Sequence, residues 1–154
     1  MRAIHKILVP TDFSAHSAEA TAWAADLARR YDASLTLIHV YQPVSMALPE
    51  GYVLMSPNGL ADLLSELDTA LDRARKDLER DERITPETML LQGVPFAEIV
   101  GFARDGGYDL IVMGTHGRTG LKHALMGSVA EKVVRKAPCP VLTVRLPAQA
   151  FEHP

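Results

Sequence analysis

Apolar residues fall along this chain in two alternating patterns. Short continuous runs are separated by longer stretches in which the apolar positions recur every three or four residues. The first run, Ile4 to Val9, is rich in branched residues and closed by Pro10, as expected of a buried strand. Ser14 and Ser17 then offer hydroxyls for a helix N-cap, and Ala20, Ala24, Leu27, Ala28 and Tyr31 follow at helical spacing up to Asp32. Leu35 to Val40 is the second predicted strand. A long second helix carries Leu60, Leu63, Leu64, Leu67, Leu71, Ala74 and Leu78 as one stripe, with a charged opposite face from Asp62 to Arg83. Glu87 to Leu91, between Pro86 and Gly93, is the third strand. Pro95 can open a helix carrying Ile99, Val100 and Ala103 that stops at Gly106-Gly107. Leu110 to Met113 is a fourth, wholly apolar strand ending at Gly114. A helix from about Gly127 to Lys136 and a fifth strand, Val141 to Val144, complete the series, with Pro138 between them.

Strands that are apolar throughout and alternate with helices predict a parallel α/β sheet covered on both faces. Right-handed crossovers bring the C-terminal ends of such strands to one edge, where ligands bind at the point at which neighbouring strands send their helices to opposite faces. Two loops at that edge are unlike ordinary connectors: Pro10-Thr11-Asp12-Phe13-Ser14 and the stretch from Gly114 to Ser128. The segment Pro43 to Asn58 is long and apolar for a connector, and the expectation is that it packs on its own helix, with a place near a ligand or a partner as the alternative.

Composition narrows the class. Hydrophobic residues at 47% and charged residues at 23% are ordinary for a globular chain of 154 residues, about one domain, which argues against disorder. A net charge of −3 gives no general attraction to nucleic acid. One cysteine, Cys139, cannot form an internal disulfide and reads as a small packed residue. No apolar stretch reaches the roughly 18 residues of a membrane span, and nothing resembles a leader peptide, so the expected location is cytoplasmic. Residues 1–146 are expected to form one α/β domain and 147–154 a loose tail.

The chemistry concentrates in Gly114-Thr-His-Gly117-Arg118-Thr-Gly-Leu-Lys122-His123-Ala-Leu-Met-Gly127-Ser128. Gly117 is expected to allow a tight turn with positive φ. Gly127-Ser128 opens a helix whose first N–H groups, with the positive end of its dipole, suit an anion. The dipole contributes about 0.3–1 kcal/mol, up to ~2 when partly buried, whereas micromolar binding needs about 8 kcal/mol. A base or ribose pocket must supply the remainder. The segment lacks the Gly-Lys-Ser/Thr triplet of a P-loop and is not a Gly-x-Gly-x-x-Gly fingerprint. Simpler readings stand beside the functional ones. The glycines could be turn residues, Asp12 could cap the first helix, and Arg118 and Lys122 could be solvated loop charges. His116 and His123 match no metal spacing and suit a surface or phosphate-adjacent place. His39 belongs to a strand end, and Trp23 and Phe13 read as packing.

Gly114-x2-Gly117-x9-Gly127-Ser128 resembles the nucleotide-binding signature of the universal stress protein family, in its ATP-binding branch. Ile7 to Ser14 is similar to that family's opening strand and acidic loop, and Ala137 to Leu142 to its closing segment, so the likeness covers nearly the whole chain. The resemblance implies an open, Rossmann-like five-stranded parallel sheet of order 3-2-1-4-5 with helices on both faces. It implies an ATP site in which Asp12 contacts the ribose or a nearby metal such as Mg2+, with Pro10 and Thr11 beside it. Val40 and Met113 would line the adenine pocket. Gly114, Gly117, Gly127, Ser128 and Val129 would surround ribose and phosphates, with Arg118 at the phosphate end. It also implies a homodimer through the fifth strand (Val141, Leu142, Thr143, Val144), whose open edge would otherwise be unprotected.

The expected function is that of a nucleotide-responsive binding protein in stress or signalling. Two alternatives are a slow ATP hydrolase or phosphoryl or adenylyl transferase, and a dimeric interaction module with an empty site. No second acidic metal ligand stands near Asp12 in the sequence, which weighs against a dedicated enzyme.

Overall fold

The computed structural model describes residues 3–42, 46–48, 51–53, 56–117 and 126–146, with 46–48 and 51–53 as backbone only. The first strand, β1 (Lys6–Pro10), is buried along Ile7, Leu8 and Val9 because both of its faces are covered. Ile7 and Val9 face one core cluster and Leu8 the other, as the two-residue period of a strand requires. Helix α1 (Ala15–Tyr31) starts where the Ser14 hydroxyl accepts the Ser17 N–H, and ends at Asp32, whose left-handed φ of 52° turns its N–H back to Ala28 O. Its buried stripe is small: Ser17, Ala20, Thr21, Ala24, Ala25 and Ala28. Small residues let α1 lie close on the sheet.

Strand β2 (Ser34–Tyr41) is followed by a two-stranded antiparallel hairpin, β3 (Met46–Leu48) and β4 (Gly51–Val53). This hairpin lies within the segment expected to pack on its own helix. The side chains that would decide the packing lie outside the described residues. Helix α2 (Pro57–Asp77) opens at Ser56 and runs into a π-helical stretch, Leu78–Glu82, closed by Arg83 at φ 55°. Of its apolar stripe Leu71 and Leu78 are buried, while Leu60, Leu63, Leu64 and Leu67 are half-buried, because α2 covers the outer strands of the sheet. Arg29 of α1 ties the two helices together, donating to Glu82 O at 2.8 Å and pairing with the Glu82 carboxylate.

Strand β5 (Glu87–Gln92), helix α3 (Pro95–Asp105), strand β6 (Leu110–Gly114), helix α4 (Ser128–Lys136) and strand β7 (Val141–Val144) complete the series. The main sheet is parallel and runs β5-β2-β1-β6-β7. Numbered among themselves, its five strands have the order 3-2-1-4-5 that the resemblance implies. At the N-terminal edge, Asp109 accepts the backbone N–H groups of His5 and Lys6 at 2.8 and 3.0 Å. These bonds hold its carboxyl below the usual carboxylate range.

Helices α1 and α2 pack over one face, against Ile7, Val9, Leu35, Leu37 and Val112. Helices α3 and α4 pack over the other, against Leu8, Ile38, Ile111 and Met113. Strand β1 therefore sends its chain to one face and its neighbour β6 sends its chain to the opposite face. The two part at their C-terminal ends and leave a crevice between them. Trp23 departs from expectation: it is 51% exposed, on the outer flank of α1 and not in the core. The i, i+3, i+4 pattern of α1 is completed by alanines without it.

Candidate functional site

The crevice has two principal walls. The first is the β1–α1 loop, held by a local hydrogen-bond network. Thr11 N–H donates to Ile38 O at 2.8 Å, extending the pairing with β2 by one residue. The Thr11 hydroxyl accepts the Phe13 N–H at 3.0 Å and lies 3.1 Å from the Ser17 hydroxyl. Asp12 Oδ1 accepts the Ser14 N–H at 3.0 Å, an Asx-type turn. The cap of α1 is thus Ser14, and Asp12 stands one turn outside the helix. Phe13 takes a left-handed φ of 62°, and its ring lies 4.6 Å from that of His39. His39 Nδ1 is 2.7 Å from Thr11 O; a carbonyl only accepts, so this nitrogen carries the proton. These contacts fix the loop and leave Asp12 at the crevice.

The second wall is the end of β6 and the start of α4. Thr115 is buried, and its N–H donates to Val144 O at 2.9 Å. Gly127, the residue before α4, donates its N–H to Thr115 O at 2.7 Å. That N–H is therefore engaged within the protein, and the open donors are those of the residues that follow it. The first helical hydrogen bond to Gly127 O comes from Glu131, so the N–H groups of Ser128, Val129 and Ala130 precede the ladder, and Gly127 at the N-cap has no side chain to cap them. These three residues line the cleft.

The glycines have separate reasons. A Cβ at Gly114 would stand 3.0 Å from the backbone and Cβ of His16, so Gly114 lets α1 close on the end of β6. A Cβ at Gly117 would stand 2.8 Å from Asp12 Oδ2. Gly117 does not take the positive φ expected of it; among described glycines only Gly93 and Gly107 do. Its requirement is room beside Asp12. A Cβ at Gly127 would meet Thr115 O at 3.3 Å.

The cleft so formed is lined by Pro10, Thr11 and Asp12, by Ser17 of α1, by His39 and Val40 of β2, by Pro95 and Ile99 of α3, by Met113 to Gly117, and by Gly127 to Ala130. Its enclosed volume is about 200 Å³. Typical ligand pockets run to roughly 300–1,000 Å³, so these walls enclose part of a nucleotide-sized ligand and leave the rest at the open side. Ten of the eleven residues expected in the site (Pro10, Thr11, Asp12, Val40, Met113, Gly114, Gly117, Gly127, Ser128 and Val129) line it together. Arg118, like Lys122 and His123, lies outside the described residues. The sequence reading missed Ser17 and His39 and, from the opposite face of the sheet, Pro95, Ile99 and Ala130. For the latter the signal was topological: α3 and α4 cover the same face, so the first turn of α3 reaches the crevice. Among the described residues no group of three or more His, Cys, Asp or Glu side chains is placed to hold a metal ion. Cys139 is half-buried, and burial pushes its thiol up.

Fold and cleft together define a doubly wound α/β protein with a crevice at its switch point, apolar toward α3 and β6 and rich in backbone donors toward α4. Comparison with known proteins makes this specific. Residues 3–145 match the model of the universal stress protein family, and the chain belongs to that family. It is 41% identical over 147 residues to universal stress protein MJ0531 of Methanocaldococcus jannaschii, covering 92% of this chain and 82% of that one. It is similar in structure to MJ0577, a universal stress protein of the same organism, with a TM-score of 0.80 and 33% identity over 96% of this chain and 99% of that one. The universal stress protein UspA of Lactobacillus plantarum matches with a TM-score of 0.75 and 27% identity, over 94% of this chain and all of that one.

Proposed function

We propose that this chain binds an adenine nucleotide carrying several phosphates, ATP above all, and that occupancy of the cleft is the state a partner reads. This assigns it to the ATP-binding branch of its family. The observation that carries the proposal is the convergence of Asp12, Gly117 and the glycine-capped opening of α4 around one cleft. The base sits among Val40, Ile99 and Met113, the ribose hydroxyls face Asp12, and the phosphates face the N–H groups of Ser128 to Ala130. The helix end supplies at most about 2 kcal/mol. Most of the affinity therefore comes from the apolar end of the cleft and from charge-assisted hydrogen bonds at Asp12.

This arrangement suits binding better than turnover. Phosphoryl transfer needs charge stabilised on the transferring group and a positioned base. Asp12 is the one carboxylate that lines the described cleft, and its first oxygen is occupied by Ser14 N–H.

The strand β7 is an outer strand of the main sheet, and a homodimer pairing two copies of it would cover its open edge. Isothermal titration with ATP tests the central proposal. Heat of binding that saturates in the micromolar range is expected, and Gly117→Val should abolish it. A folded chain that evolves no heat with ATP at high micromolar concentration would overturn the assignment.

A further inference from the structure

His16 is the second residue of α1, and it does not line the cleft. It nevertheless stands at the junction behind the phosphate end. The absent Cβ of Gly114 would lie 3.0 Å from His16 C, O and Cβ, so the first turn of α1 is seated directly on the end of β6. From this seat the His16 ring meets the His116 ring, with centroids 5.4 Å apart and planes tilted by 46°. His116 does line the cleft. Its Nδ1 is 3.0 Å from the hydroxyl of buried Thr115. The carbonyl of Thr115 accepts the Gly127 N–H, and a Cβ on Gly127 would stand 3.5 Å from His116 Cα. A continuous path therefore runs from α1 through His16, His116 and Thr115 to the opening of α4.

Within that path His16 Nδ1 is sealed from water and has no hydrogen-bond partner among the described residues. An unsatisfied buried nitrogen costs free energy, and hydrogen bonding at that atom does not explain the side chain's place. Its ring contact does. We infer that His16 is a positioning residue of the nucleotide site: its ring seats His116, and through it fixes the Thr115–Gly117 turn against the N-terminus of α4. The inference rests on the proposed nucleotide reading and names what holds the phosphate end of that site in shape. His16 acts through His116 and touches no ligand itself.

A double-mutant cycle on ATP affinity, by titration calorimetry of the full chain, tests it. His16→Ala should weaken ATP binding about tenfold, the scale of coupling between touching residues. His116→Ala should weaken it at least as much, and the double variant should bind no worse than His116→Ala alone. His16→Phe keeps a ring without the buried nitrogen and should return affinity to within about threefold of the unaltered chain. Circular dichroism checks that each variant is folded. Should the alanine variant not fold, His16→Gln, polar but ringless, takes its place in the cycle. ATP affinity unchanged in the ringless variant would overturn the inference, and so would losses that simply add. Absence of ATP binding by the unaltered chain would instead sink the nucleotide reading, before any variant is made.

Discussion

Gly117→Ala separates a ligand-binding role for the glycine loop from a purely structural one. The added Cβ would lie 2.8 Å from Asp12 Oδ2, where ordinary contact begins at 3.4 Å, so the carboxylate must withdraw by about 0.6 Å (3.4 − 2.8). The atom it meets is the end of a flexible side chain, and Gly117 does not occupy the left-handed region. Backbone strain therefore contributes nothing, and stability should change by no more than about 0.5 kcal/mol. Asp12 cannot withdraw freely, however, because its Oδ1 is held by Ser14 N–H at 3.0 Å. Either that bond lengthens or Oδ2 turns away from the cleft. If Oδ2 accepts a ribose hydroxyl, losing this charge-assisted bond costs about 1.5–3 kcal/mol, a fall of roughly 10- to 150-fold in affinity. In an Asp12→Ala background the same glycine substitution should cost almost nothing further, because the group it displaces is gone. Titration calorimetry reads the affinities and thermal unfolding the stability. ATP affinity within twofold of the unaltered chain would refute the placement of ribose at Asp12. A large loss of stability with affinity retained would return Gly117 to the role of a turn residue.

Gly114→Ala should do the reverse, because the atoms it meets are the backbone of α1. Overpacking of this kind costs about 1–3 kcal/mol, and at this chain length lowers Tm by roughly 2–4 °C per kcal/mol, so an unchanged melting curve would refute the contact. Ser14→Ala removes the α1 cap and should destabilise by about 1 kcal/mol in chemical denaturation, with no change in the denaturant slope. The folded-state pKa of Asp109 is lowered, so its stabilisation is complete above the unfolded carboxylate range and is lost as pH falls through its folded value. Asp109→Asn should accordingly be less stable than the unaltered chain at neutral pH, and the gap should close below about pH 4. Pro140 O accepts from Ile111 of β6 and Val144 O from Thr115 just beyond it, so the even-numbered residues of β7 face that strand while Val141 and Thr143 point their backbone groups to the open edge. Thr143→Pro should then leave the sheet intact but turn a dimer into a monomer in sedimentation velocity.

What could be read from the residues, and what could not, follows from the range over which each pattern is enforced. The five strands of the main sheet are burial patterns: Ile7 to Val9 and Leu110 to Met113 must be apolar on both faces to sit inside two helical layers, so their sequence states their position. The helix ends at Asp32 and Gly107 were legible because left-handed φ values of 52° and 64° favour few residue types. Strand order was not contained in any local pattern and came from resemblance, since pairing β1 with β6 joins residues about a hundred positions apart. The reason for each glycine was illegible for the same cause. Gly114 answers to His16 across the sheet and Gly117 to Asp12 across the crevice, and neither neighbour is near in sequence. Gly117 was assigned a positive φ because local chemistry offers that reason first, whereas the structure requires only the missing Cβ. Trp23 misled for the opposite cause: a large aromatic side chain suggests burial, but α1 reaches the sheet through alanines, and an indole on its buried stripe would hold the helix away from β6. The close approach of α1 that excludes Trp23 from the core is the same one that demands Gly114 and brings His16 to His116. The small side chains of α1, of which only Ser17 lines the cleft, therefore set the separation of the two walls between which the nucleotide is proposed to bind.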